Sequence, residues 1–254
     1  MKRFLIAIQF LTIIPVRIKH ITEQDYAGST VFFPAAGIII GILLVLFNAV
    51  ISGILPQMPA VCFLLIFWVF ITGALHLDGL ADTIDGFYAS TIKEEILQAM
   101  EDTATGAKGV AALVMILLFK FALLLSMEGT IRVCALVLAP AISRYSLVLA
   151  MANSKPAREK GIARLFMGKV GWAKLIISTF IVLAPAFVCS YFLPSKMLGF
   201  LAMAVSVMVT ATFVQYCNYK IDGMTGDTLG ALNEIVEIVV LLVIAAINFM
   251  RGVL

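Results

Sequence analysis

Apolar residues in this chain come in long continuous runs separated by short polar breaks, not in the alternating pattern of membrane-barrel strands. Seven runs predict membrane-spanning helices, at about 31–55, 59–75, 110–127, 131–152, 172–193, 197–217 and 231–250. Crossing a bilayer takes roughly 20 apolar residues, and lipid offers the backbone no hydrogen-bond partner outside a helix. An eighth apolar stretch, residues 4–16, is short and flanked by Lys2, Arg3, Arg17 and Lys19. It lacks a small-residue cleavage site, so it reads as an interfacial or re-entrant helix of the mature chain. With no internal repeat and no low-complexity linker, the expected fold is all-α: a single polytopic transmembrane bundle over residues 1–254.

Composition strengthens this picture. The chain is 62% hydrophobic and 13% charged, where a soluble domain averages about half apolar and a quarter charged. A net charge of +3, dispersed along the sequence, gives no basis for nucleic-acid binding. The four cysteines, Cys62, Cys134, Cys189 and Cys217, lie scattered in apolar runs without metal-ligand spacing and read as buried free thiols.

The arrangement of charge says more. Segment 153–174 carries Lys155, Arg158, Lys160, Arg164, Lys169 and Lys174 against the single acid Glu159. Positive residues favour the cytoplasmic side. Counting spans then puts 17–30, 76–109 and 218–230 on that side too, and the short breaks near 56–58, 128–130 and 194–196 outside. Arg251, at a C-terminus placed outside, runs against the assignment. The expected location is the cytoplasmic membrane, multi-pass, with its chemistry on the cytoplasmic face.

Segment 76–109 holds seven of the fifteen acids. Within it, Thr91-Ile-Lys-Glu94 resembles a capping box and predicts a short amphipathic helix with Ile92, Ile96, Leu97 and Met100 on one face. Just before it stands His76-Leu-Asp78-Gly-Leu-Ala-Asp82-Thr-Ile-Asp85-Gly86. On a helix, Asp78, Asp82 and Asp85 share a face. Three carboxylates so placed repel one another, and near hydrocarbon they lose solvation. A divalent cation offsets both costs, and Mg²⁺ takes oxygen ligands completed by substrate phosphates and water. The alternative is a solvated helix end with Asp78 as its cap.

A second cluster, Asp222-Gly-Met-Thr225-Gly226-Asp227-Thr228-Leu-Gly230, enters the last span. A glycine-rich turn at a helix start offers free N–H groups and the positive dipole end to an anion. Asp227 joins Asp78, Asp82 and Asp85 as a candidate metal ligand. Glu234 and Glu237 lie within the following apolar run, where ionisable groups are costly and suggest function. Lys120 and Arg144 sit mid-span and either pair with those carboxylates or bind substrate. Arg144 is the better phosphate clamp, because its fork matches oxyanion geometry. His76 is a ligand, a general base or a helix-end hydrogen bonder.

These motifs, with Thr225-Gly-Asp-Thr-Leu-Gly-Ala231, Phe10-Leu-Thr-Ile-Ile-Pro15, Phe33-Pro34-Ala-Ala-Gly37 with Gly41, and Ser143-Arg144, resemble the cobalamin synthase (adenosylcobinamide-GDP ribazoletransferase) family over most of the chain. One block departs: where the family usually has a basic residue before Asp102 and an arginine two positions after it, this chain has Glu101 and Ala104. Lys108 is a candidate substitute. The resemblance implies a Mg²⁺-dependent transferase that joins adenosylcobinamide-GDP to α-ribazole, or its 5′-phosphate, and releases GMP. It implies a metal on Asp78, Asp82, Asp85 and Asp227, and proton transfer by His76, Asp82 or Glu234. Substrate contacts would come from Asp102, Lys120, Arg144, Thr225, Gly226 and Glu237. Membrane lipid, a second copy, or other cobalamin-assembly enzymes are the expected partners. Two rivals differ in class: a CDP-alcohol phosphotransferase, whose motif has arginine where Asp82 stands, and an ion-coupled transporter using Glu234, Glu237, Lys120 and Arg144.

Overall fold

The computed structural model describes the whole chain apart from Lys160, Pro194 and Leu254, and apart from the side chains of Ile162 and residues 251–253. Lys160 of the basic segment and the Arg251 side chain therefore lie outside the described residues. The described residues are almost entirely helical. In chain order the helices are α1 (Lys2–Leu11), α2 (Glu23–Ser29), α3 (Phe33–Ser52), α4 (Gln57–Ile71), α5 (Leu75–Ala89), α6 (Lys93–Ala99), α7 (Ala107–Leu125), α8 (Gly129–Asn153), α9 (Trp172–Phe192), α10 (Leu198–Ile221) and α11 (Gly226–Val253).

Six helical stretches are long and apolar enough to cross a membrane: Glu23–Ser52, which runs from α2 through one tight turn into α3, and α7 to α11. The expected seventh span, 59–75, falls on α4, which has 15 residues and turns by 85° into α5; the count is six, or seven with this bent pair taken as one span. The bend sits at Gly73 and Ala74, both left-handed (φ +61° and +55°). α4 supplies the apolar part of the pair, and α5 carries the three aspartates. The last helix also begins earlier than predicted, at Gly226.

α8 is the axis of the bundle. Its apolar window is 83% buried, against 22% for that of α7, and α3, α9, α10 and α11 pack around it. The outer helices turn large apolar side chains outward, among them Leu46, Phe70, Met115, Leu118, Phe180 and Phe187. A soluble monomer does not leave so broad an apolar surface uncovered; hydrocarbon is its natural solvent.

α1 is as short as expected and buries Ile6, Ala7, Ile8 and Leu11 against α2 and α3. The helix within the acidic segment also forms, but its predicted cap does not. α6 starts at Lys93 with Ile92 as N-cap, and Ser90 takes the capping work: its Oγ accepts from Ile92 N (3.1 Å) and donates to Glu95 (2.5 Å). Ile96 and Met100 pack on Ile221, whereas Ile92 is half exposed.

One end of the bundle gathers the long polar segments. Pro156 bridges to Met224 through Ala157 N to Met224 O and Met224 N to Lys155 O, both 2.9 Å. Arg164 and Lys169 reach Glu23. At the opposite end Gln57 donates to Glu128 (3.0 Å). The segments placed together by counting spans do lie together.

Candidate active site

The site is built where α5 crosses the start of α11. A methyl group at Gly79 would meet the Asp227 carbonyl at 2.7 Å, and one at Gly230 would meet Gly79 Cα and His76 O at 3.2 Å. The two backbones therefore touch, as small residues allow between membrane helices. Two of the glycines in the phosphate-binding-like motifs thus serve helix approach. That approach sets Asp227 beside the aspartate face of α5.

At the head of α11, Thr225 and Thr228 cap each other: Thr225 N donates to Thr228 Oγ1 (2.8 Å) and Thr228 N to Thr225 Oγ1 (3.1 Å). Thr225 Oγ1 also donates to Asp227 (3.2 Å). Asp82 stands amid Asp78, Asp227 and Asp85. Partial burial, then these three charges in that order, push its carboxyl up to about 6, with Arg158 opposing. Asp85 has a different occupation. Its carboxylate accepts from Gly106 N (2.7 Å) and Gly109 N (2.9 Å), which caps the start of α7.

Beside Asp78 and Asp227 opens a cavity of about 360 Å³. Thr225, Asp227 and Arg158, in mutual contact, form its polar end, and Phe10, Phe166 and Ala163, likewise in contact, its apolar end; His76, Asp78, Gly226, Leu147, Met151 and Leu229 also line it. Arg158 is the site residue that spacing did not single out. It holds Glu101 (3.1 Å), the Leu97 carbonyl (3.1 Å) and Asp227 (3.5 Å). Its Nε is buried without a partner among the described residues. In sequence it was one of several basic residues that topology alone accounted for.

The remaining candidates sit elsewhere. Lys120 Nζ lies 2.6 Å from Glu234 and 2.5 Å from Glu237, over the Trp68 ring at 5.1 Å. Arg144, fully buried, pairs with Glu237, which also accepts from Asn233 (3.1 Å). Two cations and two carboxylates thus close into a neutral buried network, and none of the four lines the cavity. Arg144 touches the site only through His76 Nδ1, at 3.5 Å. Burial, then the Arg144 charge, push the His76 imidazole down and keep it neutral. Asp102 accepts from Ala104 N (3.0 Å) in an exposed turn away from the cavity. Lys108 donates to the Tyr88 carbonyl (3.2 Å).

Oxygen-only donors suit Mg²⁺. Among the described residues, no group of three or more His, Cys, Asp or Glu side chains stands ready to hold a metal. The arrangement matches a cation bound by one or two carboxylates and completed by phosphate and water, not an all-protein cage.

Fold and site together define a multi-pass membrane protein with an acidic centre beside a cavity at one end of the helix bundle. The family model described as Cobalamin-5-phosphate synthase matches residues 3–245. The chain is 34% identical over 249 residues to a protein of Thermoanaerobacter sp. (strain X514), covering 97% of this chain and 98% of the relative. It is 36% identical over 242 residues to one of Clostridium botulinum (strain 657 / Type Ba4), covering 95% and 96%. A protein of Clostridium novyi (strain NT) is 36% identical over 253 residues, again covering 95% and 96%. All three relatives are named adenosylcobinamide-GDP ribazoletransferase. No solved structure matches. This chain belongs to the cobalamin-5-phosphate synthase family.

Proposed function

We propose that this protein joins adenosylcobinamide-GDP to α-ribazole or its 5′-phosphate, giving adenosylcobalamin or its 5′-phosphate and GMP. The observation that carries this is the meeting of Asp78 and Asp227 at one cavity, from segments about 150 residues apart in sequence, with Asp82 close enough to feel both charges. A pyrophosphate being cleaved needs its charge neutralised, and helix α11 begins at that spot with its positive end.

In the reaction a ribose hydroxyl oxygen bonds to the phosphorus attached to the cobinamide arm. The bond from that phosphorus to the bridging oxygen breaks, and GMP leaves with the electron pair. Asp78 and Asp227 are the residues that would hold Mg²⁺, which when bound neutralises the pyrophosphate and the departing GMP. Asp82, beside these two carboxylates and outside the cavity lining, is the group placed to take the hydroxyl proton. His76, facing Arg144 at 3.5 Å, is neutral and poorly basic, so it serves as an orienting hydrogen bonder. Arg158 grips phosphate oxygens. The apolar outer surface rests in lipid, and the basic segment on the site's side of the bundle supports a cytoplasmic active site.

The test is GMP release from adenosylcobinamide-GDP plus ribazole by detergent-solubilised protein. Release should require both substrates, stop with EDTA and return with Mg²⁺. Absence of a corrinoid product from folded protein beside an active relative would remove the proposal; product formation indifferent to EDTA would remove its metal.

A further inference from the structure

We propose that the apolar end of the cavity is the seat of the acceptor's base: it takes the bicyclic aromatic base of the ribazole, with the ribose directed towards Asp78 and Asp227. This rests on the transferase activity proposed above and assigns the cavity to one of its two substrates.

Three observations lead there. The first is size. A cavity of about 360 Å³ lies at the lower end of small-ligand sites. It suits a nucleoside and is far too small for a corrin ring with its side arms. The second is shape and surface. Phe10 lies half-buried with its ring 5.0 Å from that of Phe166, and Leu147 and Met151 stand one turn apart on α8. Together they offer an aromatic face and a sulfur-lined wall, the surroundings a flat ring system prefers.

The third is chemistry, and it decides between the two bases in the reaction. The side chains at this end offer only carbon and sulfur. Guanine would lose water from its carbonyl, amino and ring N–H groups without recovering those hydrogen bonds, a large cost. Dimethylbenzimidazole has an edge of methyl groups and loses little. The polar end has the opposite character, with Thr225, Asp227 and Arg158. A nucleoside seated with its base inward therefore brings its hydroxyls to the aspartates, where the phosphorus must be attacked. The corrinoid and the guanosine stay outside, on the open face of the bundle end.

Competition binding tests this on wild-type protein without any substitution. Labelled α-ribazole is equilibrated with detergent-solubilised protein. Free dimethylbenzimidazole should displace it, while adenine at equal concentration should not. Displacement by adenine as strong as by dimethylbenzimidazole would overturn the assignment.

A second measurement fills the cavity. Ala163 lines it and is nearly buried, so Ala163→Leu should raise KM for ribazole about tenfold or more, the scale of a misfitted methylene or two in an apolar pocket. KM for adenosylcobinamide-GDP should stay within about twofold. If that second KM rises instead, the cavity serves the other substrate and the assignment falls. If wild-type protein binds ribazole with this selectivity but releases no GMP, the activity proposed above fails and the base seat stands.

Discussion

Helix α11 carries two acidic regions about two turns apart, and they are opposite in kind. Near its start, Asp227 joins Asp78 and Asp82 with one partly exposed cation, Arg158, at 3.5 Å. Seven residues on, Glu234 and Glu237 are buried and matched by Lys120 and Arg144. In the first region carboxylates face one another beside a cavity, and their repulsion is not satisfied by the protein alone. In the second, every charge has its counter-charge, and none of the four charged groups lines the cavity. An unbalanced cluster beside a cavity indicates chemistry, whereas a balanced one inside a membrane bundle indicates architecture. The same contrast disfavours a transporter, since the mid-membrane charges that would form its pathway are locked to one another.

The sharpest way to break this comparison is to substitute on each side. Asp227→Asn removes charge from the unbalanced cluster. Turnover should fall at least about 10³-fold, some 4 kcal/mol of transition-state stabilisation, while thermal unfolding in detergent shifts little. Measured GMP release within tenfold of wild type would deny Asp227 its role.

Glu237→Gln should do the reverse. It leaves Arg144 and Lys120 sharing one carboxylate in a buried setting, which costs about 3 kcal/mol of stability or more. Residual activity per folded molecule should be largely kept. The double substitution Lys120→Met with Glu234→Gln removes one cation and one anion together, and should unfold at a higher temperature than Lys120→Met alone. If the double variant is the less stable, the network is not held by charge balance.

These two regions were not equally legible in the sequence. The aspartates could be read because a helical repeat of 4 and 3 is visible within one segment, and topology added Asp227 to the same face. The pairing of Glu234 and Glu237 with Lys120 and Arg144 depends on which faces of α7, α8 and α11 meet, which spacing within any one helix does not encode. Arg144 therefore stood open between a carboxylate partner and a phosphate clamp, and the structure pairs it with Glu237. Asp85 shared its face with Asp78 and Asp82, yet it caps a helix that begins 22 residues later, at Ala107. Arg158 was hidden differently. Positive-inside topology explained the whole basic segment, so nothing set one arginine apart until the bridge between Pro156 and Met224 fixed it beside Asp227. The spans were the easiest part, because hydrocarbon demands length and apolarity; the bend after α4 rests on two left-handed residues that hydropathy does not register.

Arg158 sharpens the comparison from within the acidic region. Arg158→Ala should raise KM for adenosylcobinamide-GDP some tens of fold, about 2 kcal/mol for lost charge-assisted hydrogen bonds. Arg158→Lys should recover only part, since a lysine keeps the charge without the fork. A KM unchanged in both variants would leave Arg158 as a strut between the loop and α6.

The smallest effect concerns Glu101. It accepts from Arg158 at 3.1 Å but is 65% exposed. An exposed pair of this sort contributes less than about 1 kcal/mol, so Glu101→Gln should leave thermal stability almost unchanged. Its effect on catalysis depends on what Arg158 does in the free protein. With phosphate as Arg158's true partner, Glu101 is a competitor for the guanidinium, and its neutralisation should lower KM for adenosylcobinamide-GDP by about twofold to threefold. With Glu101 as the holder that aims Arg158 at the cavity, the same substitution should raise KM. Arg158 keeps a buried, unpartnered Nε among the described residues, a donor still free for a phosphate oxygen, and we take the competitor as the expected outcome. A raised KM in Glu101→Gln would instead make Glu101 part of the site, and would extend the unbalanced region by one acid.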